Sequence, residues 1–371
     1  MKTKRYICSG IVVTLLSAHV WAGVDLVKVV DPLTPVYEVS DVQSAPSRET
    51  LTLVGPRNGT CSAQVVVIGS GLQGVKASLS PLKQGDRLIP ASAARIRYAS
   101  REEGYVIEKT KHEGRDHRAY IDPYYDILHP EPPGDTGLLP IWVTVQIPAA
   151  TPAGIYEGTL AVGATKVPVR LTVAPWICPD PGRMTAHVGI VPSTECLART
   201  YKTGWWSDEH WQLIEASLKL LGQTGNDDLF IPLLYHQGYW QGTAAMVHFR
   251  REGASFVPDF SILDRYLALY RKHCSKPQYI IAMVWNEAAR RRKGRPGVAE
   301  VAVKEQGKRR GYTRIPRVQE PGGREIWKAT LQGIRDRVTK LGWDAESILL
   351  GLAYDKRPAR EEVEGFKAIG F

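Results

Sequence analysis

Cysteine is scarce in this chain of 371 residues: Cys8 is followed by Cys61, Cys178, Cys196 and Cys274, and no two stand in CxxC spacing. That spacing argues against a zinc knuckle, which draws its thiolates from close pairs. Long apolar runs are lacking as well. The run near the start, Ile11 to Leu16, is too short for a bilayer, which takes about 20 residues. No second run follows, so no integral membrane segment is expected. Basic residues interleaved with aromatics, the usual means of reading nucleic-acid bases, are also missing, which argues against a nucleic-acid partner.

The acid of a dinucleotide site is missing too. Gly69-Ser70-Gly71-Leu72-Gln73-Gly74 follows apolar Val65–Ile68 and matches GxGxxG. That motif works only where a helix opens at the turn and an acid stands about 20 residues on. Here Val75, Ala77 and Leu79 alternate at strand period, Pro81 blocks a helix, and the later span reads PASAARIR. A hairpin between strands is expected, with no cofactor.

The first 22 residues have the make-up of an export signal. Lys2, Lys4 and Arg5 precede the apolar core, and Val20 and Ala22 are small residues at −3 and −1 of a cleavage site before Gly23. A secreted or periplasmic protein of roughly 350 residues is expected, enough for two domains. Export also leaves Cys178–Cys196 open as a disulfide, with buried free thiols as the alternative.

The net charge of +10 is concentrated. Residues 287–324 hold twelve Lys or Arg against four Glu, a local +8; residues 1–22 carry +3, and the remainder sums to −1. The plain reading is a solvated insertion. The sharper one is a surface for an anionic polymer such as a sulfated or uronic polysaccharide.

Residues 138–173 are the clearest structural signal. Ile141, Val143, Val145 and Ile147 alternate with Trp142, Thr144 and Gln146, the period-2 pattern of a strand with two different faces. Pro148 stops it, Pro152-Ala153-Gly154 turns the chain, and Ile155–Val162 and Val167–Val173 continue as strands. Earlier candidates are Leu51–Val54, Ala63–Ile68, Gly74–Leu79, Ala94–Tyr98 and Tyr105–Glu108. Short strands with dense Gly/Pro punctuation predict an antiparallel β-sandwich over 24–175. Residues 120–137, rich in Pro, Tyr and acids, read as a loop, either packed between domains or contacting calcium or sugar.

Past Pro175, Pro179 and Pro181 the period changes. Apolar strand runs at Ala186–Val191, Leu229–Tyr235, Gln278–Trp285 and Ser347–Tyr354 alternate with helical stripes. The stripes are Trp211, Ile214, Leu218 and Leu221, capped by Ser207 and ended by Gly222; Leu263, Tyr266, Leu267 and Tyr270; Trp327, Leu331, Ile334, Val338 and Leu341; and a last helix from Ala359. This alternation predicts a parallel sheet flanked by helices. Four βα units fit, whereas an eightfold barrel takes about 250 residues. The expectation is a multidomain α and β protein in which an incomplete, C-terminally truncated (β/α) barrel-type domain spans 183–371, with a basic insertion at 288–323. A small open α/β sheet is the alternative.

In such a domain, chemistry gathers where strands run into their following loops. Those positions hold Ser193-Thr194-Glu195, then Tyr235-His236-Gln237-Gly238-Tyr239-Trp240, then Trp285-Asn286-Glu287, then Tyr354-Asp355-Lys356. Flat aromatic faces suit the apolar side of a pyranose, and amides and carboxylates suit its hydroxyls. Trp285, Asn286, Tyr354, His236, Tyr239, Trp240, Trp205 and Trp206 are therefore candidate substrate contacts, each also readable as packing.

The stretches IPAATPAGIYEGTL, VPVRLTV, LIEASLKLLGQTGNDDLFIPLLY, IIAMVWNE and ILLGLAYDKRPAREEVEGFKAI resemble glycoside hydrolase family 123 and its secreted relatives. The resemblance covers most of 25–371 and implies a sandwich followed by a catalytic barrel. It also implies an Asp-Glu pair at a strand end, the Asp orienting the substrate's acetamido group as nucleophile and the Glu protonating the leaving oxygen. Asp355 falls at the Asp position, and Lys356 stands at the Glu position. A lysine is a poor acid for a glycosidic oxygen. Glu287 is the replacement, since Trp-Asn-Glu ending an apolar strand resembles the Asn-Glu acid/base of many barrel glycosidases.

The expectation is therefore a secreted glycoside hydrolase-like protein acting on a glycan, with Asp355 and Glu287 catalytic and neither metal nor cofactor. A non-catalytic glycan-binding or envelope protein on the same scaffold is the alternative; a purely structural sandwich module is a third reading.

Overall fold

The computed structural model describes residues 23–101, 106–107, 119–120, 125–134, 137–187, 189–191, 193–234, 245–253, 255–285, 300–303, 313–352 and 357–371. The chain divides into two compact units, Met1–Cys178 and Pro179–Phe371.

The first unit is mostly strand. Its elements are β1 (Gly23–Val30), α1 (Val39–Ser44), β2 (Leu51–Arg57), β3 (Thr60–Ser70), β4 (Ala77–Leu79), β5 (Leu82–Gln84), β6 (Arg87–Ile89), β7 (Ala94–Arg101), β8 (Val106–Ile107), β9 (Ala119–Tyr120), β10 (Tyr125–His129), β11 (Leu138–Gln146), β12 (Gly154–Val162) and β13 (Thr165–Ile177). One sheet runs β1-β3-β11-β7-β10, and the other runs β2-β13-β12-β5-β6 with β4 also on β12. Both contribute to one apolar core: Val65, Val67, Ile141, Val143 and Val145 from the first, Leu53, Tyr156, Leu160, Val169 and Leu171 from the second. The alternation at 141–147 therefore meets the demand of a period of two, burying Ile141, Val143, Val145 and Ile147 completely. Gly154 sits at φ +141, where a Cβ would also meet the Gln84 side chain, so the turn before β12 requires glycine. Val36 and Val42, from α1 and the loop before it, cover the back of the first sheet with Val30, Val66 and Leu138.

Several local expectations are corrected here. The GxGxxG turn is not a hairpin: Gly71 adopts φ +63, a short 3₁₀ turn spans Leu72–Gly74, and the chain crosses from the first sheet to the second, where β4 pairs β12. Neither β3 nor β4 finds its partner next door, because burial of Leu72 and Leu79 favours spanning the core over folding back. The 120–137 stretch is not all loop, since β10 pairs β7 antiparallel and His129 Nε2 lies 2.8 Å from Ser100 Oγ. The sheets are not wholly antiparallel either, because β2 lies parallel to β13. Cys61, Cys178, Cys196 and Cys274 are free thiols, so Cys178 and Cys196 are not bridged, and burial pushes the Cys61 and Cys274 thiols up to about 11.

The second unit alternates helix and strand: α2 (Thr194–Thr200), α3 (Asp208–Gly222), β14 (Asp228–Pro232), β15 (His248–Glu252), β16 (Ser255–Asp259), α4 (Ser261–His273), β17 (Tyr279–Trp285), β18 (Glu300–Val303), β19 (Thr313–Pro316), α5 (Gly323–Lys340), β20 (Ile348–Leu352) and α6 (Arg360–Lys367). β14, β17 and β20 form a parallel sheet in chain order. Leu229, Ile231, Ile280, Ala282 and Val284 point to the helices and share a core with Trp211, Ile214, Leu218, Leu263, Tyr266, Tyr270, Trp327, Leu331 and Ile334. The stripes legible in the sequence are the faces that bury. No helix among the described residues is long and apolar enough to cross a membrane.

Among the described residues of Ala186–Val191 the expected strand is not formed. Ile190 and Val191 are exposed, and Asn226 and Asp227 side chains take the place of ladder partners: Ile190 N donates to Asn226 Oδ1 at 3.0 Å, and His187 Nδ1 lies 2.8 Å from Asp227 Oδ2. The described part of the basic insertion is not simply solvated. β18 and β19 make a hairpin at its end, Thr313 and Ile315 are buried, and Arg317 pairs with Glu362 of α6 at 2.9 Å. Two hairpin strands, β15 and β16, have no counterpart in the sequence pattern.

Two groups give measurable consequences. Glu215 of α3 accepts from Lys272 at 2.6 Å and faces His273 Nε2 at 2.8 Å, both at the end of α4. The Lys272 bond, then the His273 bond, pull its carboxyl from 4.5 down to about 2. A depressed folded pKa gives stability that is present above 4.5 and lost as pH falls toward 2. Glu215→Gln is expected to lower the melting temperature at neutral pH and to converge with wild type over that acid window in pH-dependent unfolding scans. Tyr266 is fully buried, and its hydroxyl has no hydrogen-bond partner among the described residues. Tyr266→Phe is expected to stabilise the protein by about 1 kcal/mol in urea unfolding, because a buried unpaired hydroxyl costs its desolvation. A loss of that size instead would reveal a bound partner.

Candidate functional site

Register sets the geometry of the strand ends. Pro232 lies opposite Met283, and Trp285 opposite Leu352, so all three parallel strands finish along one edge. The chain that continues past these ends carries the expected residues His236, Tyr239 and Trp240, then Asn286 and Glu287, then Tyr354 and Asp355, with Tyr235 and Lys356 beside them. All of these lie outside the described residues. The strand ends themselves are well placed, since neighbouring strands run about 4.8 Å apart and adjacent loops begin side by side.

Trp285 does not stand over that edge. The β17–β20 register slips between Met283 and Trp285, an extra residue in β17. Such a bulge reverses the facing of the residues after it. Trp285 packs with the helix-side core, its ring 5.5 Å from Phe366 in an edge-on arrangement, and Phe366 in turn lies 5.7 Å from Trp327. The indole thus braces the base of the segment that continues as Asn286-Glu287. Simple alternation could not reveal a bulge.

The first connection, 193–207, is described throughout. Ser207 caps α3, its Oγ accepting from His210 N at 3.3 Å, as the sequence suggests. His210 then does more than fill the stripe. It is fully buried, its Nδ1 accepts from Trp206 N at 3.0 Å, and its Nε2 lies 2.8 Å from the Thr194 carbonyl oxygen. Nδ1 accepts, so Nε2 must carry the proton and donate to Thr194, which fixes a neutral tautomer. Trp206 sits at φ +57, a region costly for any residue with a Cβ, and packs 5.3 Å from Trp211. Trp205 is 38% exposed and meets His210 edge-on at 5.7 Å. Of the two tryptophans expected at the site, Trp206 is an anchor and Trp205 a surface. Glu195, in the same connection, is a carboxylate only 2% exposed. His210 was missed because a histidine three residues after a cap looks like ordinary helix filling.

The opposite end of the sheet holds a second polar group. Asp228 opens β14, and burial, then the neighbouring Asp227 charge, raise its pKa. Asn226 Nδ2 donates there to Tyr270 Oη at 3.0 Å and to the Asp228 carbonyl at 2.8 Å. This is the end where strands begin, and its groups hold His187 and Ile190 in place. Among the described residues no group of His, Cys, Asp and Glu gathers to hold a metal ion.

Residues 193–369 match the family model for the glycoside hydrolase 123 catalytic domain, and residues 37–164 match that for the glycoside hydrolase 123 N-terminal domain. Together these stretches take up well over half of the chain. It belongs to glycoside hydrolase family 123. The family 123 assignment is matched by the fold of a family 123 glycoside hydrolase from Clostridium perfringens, the subject of a structural study of glycolipid glycan hydrolysis. The likeness has a TM-score of 0.69 at 15% identity and covers 92% of this chain but 60% of that one. No curated protein matches the chain.

Proposed function

We propose that this family 123 chain is an exported glycan hydrolase acting on 2-acetamido sugars, with Asp355 and Glu287 as its working carboxylates. The observation that carries the reading is the pairing of Trp285 with Leu352, which starts the Asn286-Glu287 segment and the Ala353–Lys356 segment from neighbouring strand ends. In this reading Asp355 orients the substrate's acetamido group and balances its charge as the acetamido oxygen attacks the anomeric carbon. Glu287 gives its proton to the departing oxygen, then takes one from the water that opens the cyclic intermediate. In the same reading Tyr354, Asn286, His236, Tyr239 and Trp240 contact the sugar that is cleaved.

The sheet supports a barrel as the frame. Its strands are neighbours in chain order, as in a barrel, and its face away from the helices is apolar yet partly open, with Phe230, Ile281 and Met283 in one small cluster and Leu349 46% exposed. Further strands would cover that face, which is the sense in which the described barrel is partial. The residues at 1–22 support export.

The test is hydrolysis of a panel of β-linked N-acetylglucosaminides and N-acetylgalactosaminides by the purified chain and by the Glu287→Ala/Asp355→Ala double variant. Equal turnover in the two sinks the site assignment. Lys356 at the family's acid position favours a second reading, a glycan-binding protein on the same scaffold. Oligosaccharide binding without turnover by the full-length protein would establish it.

A further inference from the structure

Two of the three non-glycine residues at positive φ among the described residues, Lys202 at +54 and Trp206 at +57, fall in the short connection between α2 and α3. Backbone strain of about 1–2 kcal/mol per residue persists only where surrounding contacts hold it, and it concentrates at binding sites. Tyr201, beside one strained residue, is 60% exposed, and Trp205, beside the other, is 38% exposed. Large exposed aromatics on a taut loop need a reason.

The loop also sits at the working end of the unit. α3 passes into β14 through the five residues 223–227, so it runs opposite to that strand and its first turn lies level with the strand's far end. With a rise of about 1.5 Å per residue, the helix spans the sheet's full height. The α2–α3 connection therefore shares the end at which Pro232, Trp285 and Leu352 finish.

Resting on the glycan reading above, we propose that this connection is a preformed sugar-stacking platform. Its ligand is the apolar face of a pyranose in an oligosaccharide lying beyond the bond that is cut, and His210 is its positioning residue. Trp205 presents the stacking surface. The electron-rich ring face attracts the polarised C–H groups of the sugar, and an indole held in advance loses little freedom on binding. His210 does the holding. One nitrogen takes the Trp206 N–H and the other gives its hydrogen to the Thr194 carbonyl, so a single buried ring ties the end of the loop to the first residue of α2. The Trp205 ring leans edge-on against that imidazole, and Trp206 wedges its own ring between His210 at 5.4 Å and Trp211 at 5.3 Å. Arg265 also stacks here, its guanidinium over the Trp211 ring at 4.8 Å from the ring centre.

The two bonds of His210 are separable by substitution. Asn offers an acceptor near the Nδ1 position and can keep Trp206 in place. Gln offers a donor near Nε2 and can keep Thr194, but it leaves the Trp206 N–H without its acceptor. Phe keeps ring packing alone. Tryptophan fluorescence titrations with β-linked N-acetylhexosamine mono-, tri- and tetrasaccharides would be run on the full chain and its folded variants, each well below its own melting temperature. Trp205→Ala is expected to weaken tri- and tetrasaccharide binding roughly tenfold, with little change for the monosaccharide and in melting temperature. His210→Asn is expected to bind within about threefold of wild type, whereas His210→Gln and His210→Phe lose about tenfold. A purely structural histidine would move melting temperatures and leave the affinity order flat. Wild-type binding with Trp205→Ala unchanged overturns the platform and leaves the hydrolase reading standing. A folded wild type that neither binds nor cleaves any of these sugars overturns both.

Discussion

Replacing Asp355 by Asn is expected to lower kcat by about 10³-fold on 2-acetamido glycosides whatever the leaving group, because the charge facing the developing ring cation is gone. Glu287→Gln should behave differently. Its proton matters only to a leaving oxygen that cannot depart as an anion, so the loss is expected at about 10²–10⁴-fold on oligosaccharides and far less on nitrophenyl glycosides. The same variant should lose the basic limb of the kcat/KM profile, since that limb reports the acid that must hold its proton. Initial rates on matched nitrophenyl and disaccharide substrates, across pH, separate the two roles. Equal losses for both variants on both substrates would remove the division of labour. Lys356 makes this result informative, because on the proposed reading a lysine stands where an acid is expected and Glu287 must take its place.

The second large effect is structural. Trp327 is 1% exposed, packs edge-on to Phe366, and donates from Nε1 to the Pro316 carbonyl at 3.1 Å. Phe366 carries the contact on to Trp285, where the Asn286-Glu287 segment begins. Trp327→Ala empties the largest fully buried side chain among the described residues of this unit. The expected cost is about 3–5 kcal/mol, or a melting temperature lower by roughly 10 °C for a unit of this size. Trp327→Phe keeps most of the volume and loses the hydrogen bond, with an expected cost of about 1–2 kcal/mol. Urea unfolding monitored by fluorescence checks both, and an alanine cost under about 1 kcal/mol would mean that the stack does not brace the unit.

Local features were legible where one residue's neighbours in sequence are also its neighbours in space. The helix beginning after Ser207 and the stripes on α3, α4 and α5 follow from spacing alone, and so does the alternation in β11. Partner choice was not legible. Nothing in the GxGxxG segment says that β4 will join the sheet opposite to β3, and nothing in Ile190-Val191 says that Asn226 will take a ladder's hydrogen bond. At the candidate site the types of residue were readable, and their facing was not. The bulge in β17 sends Trp285 to the helix side, and Trp206 is told from Trp205 by its backbone bond to His210 and its packing on Trp211.

The sequence by itself therefore determined the class of each element, the faces that bury, and, through its motifs, the family to which the chain belongs. Hydrophobic period and capping are local properties, and they survive in any tertiary arrangement consistent with burial. Tertiary structure decided the sheet order, the parallel pairing of β2 with β13, the end of the unit on which the aromatics gather, and the one histidine that holds them. Those outcomes depend on contacts between distant residues, where several pairings satisfy the same pattern and packing selects among them.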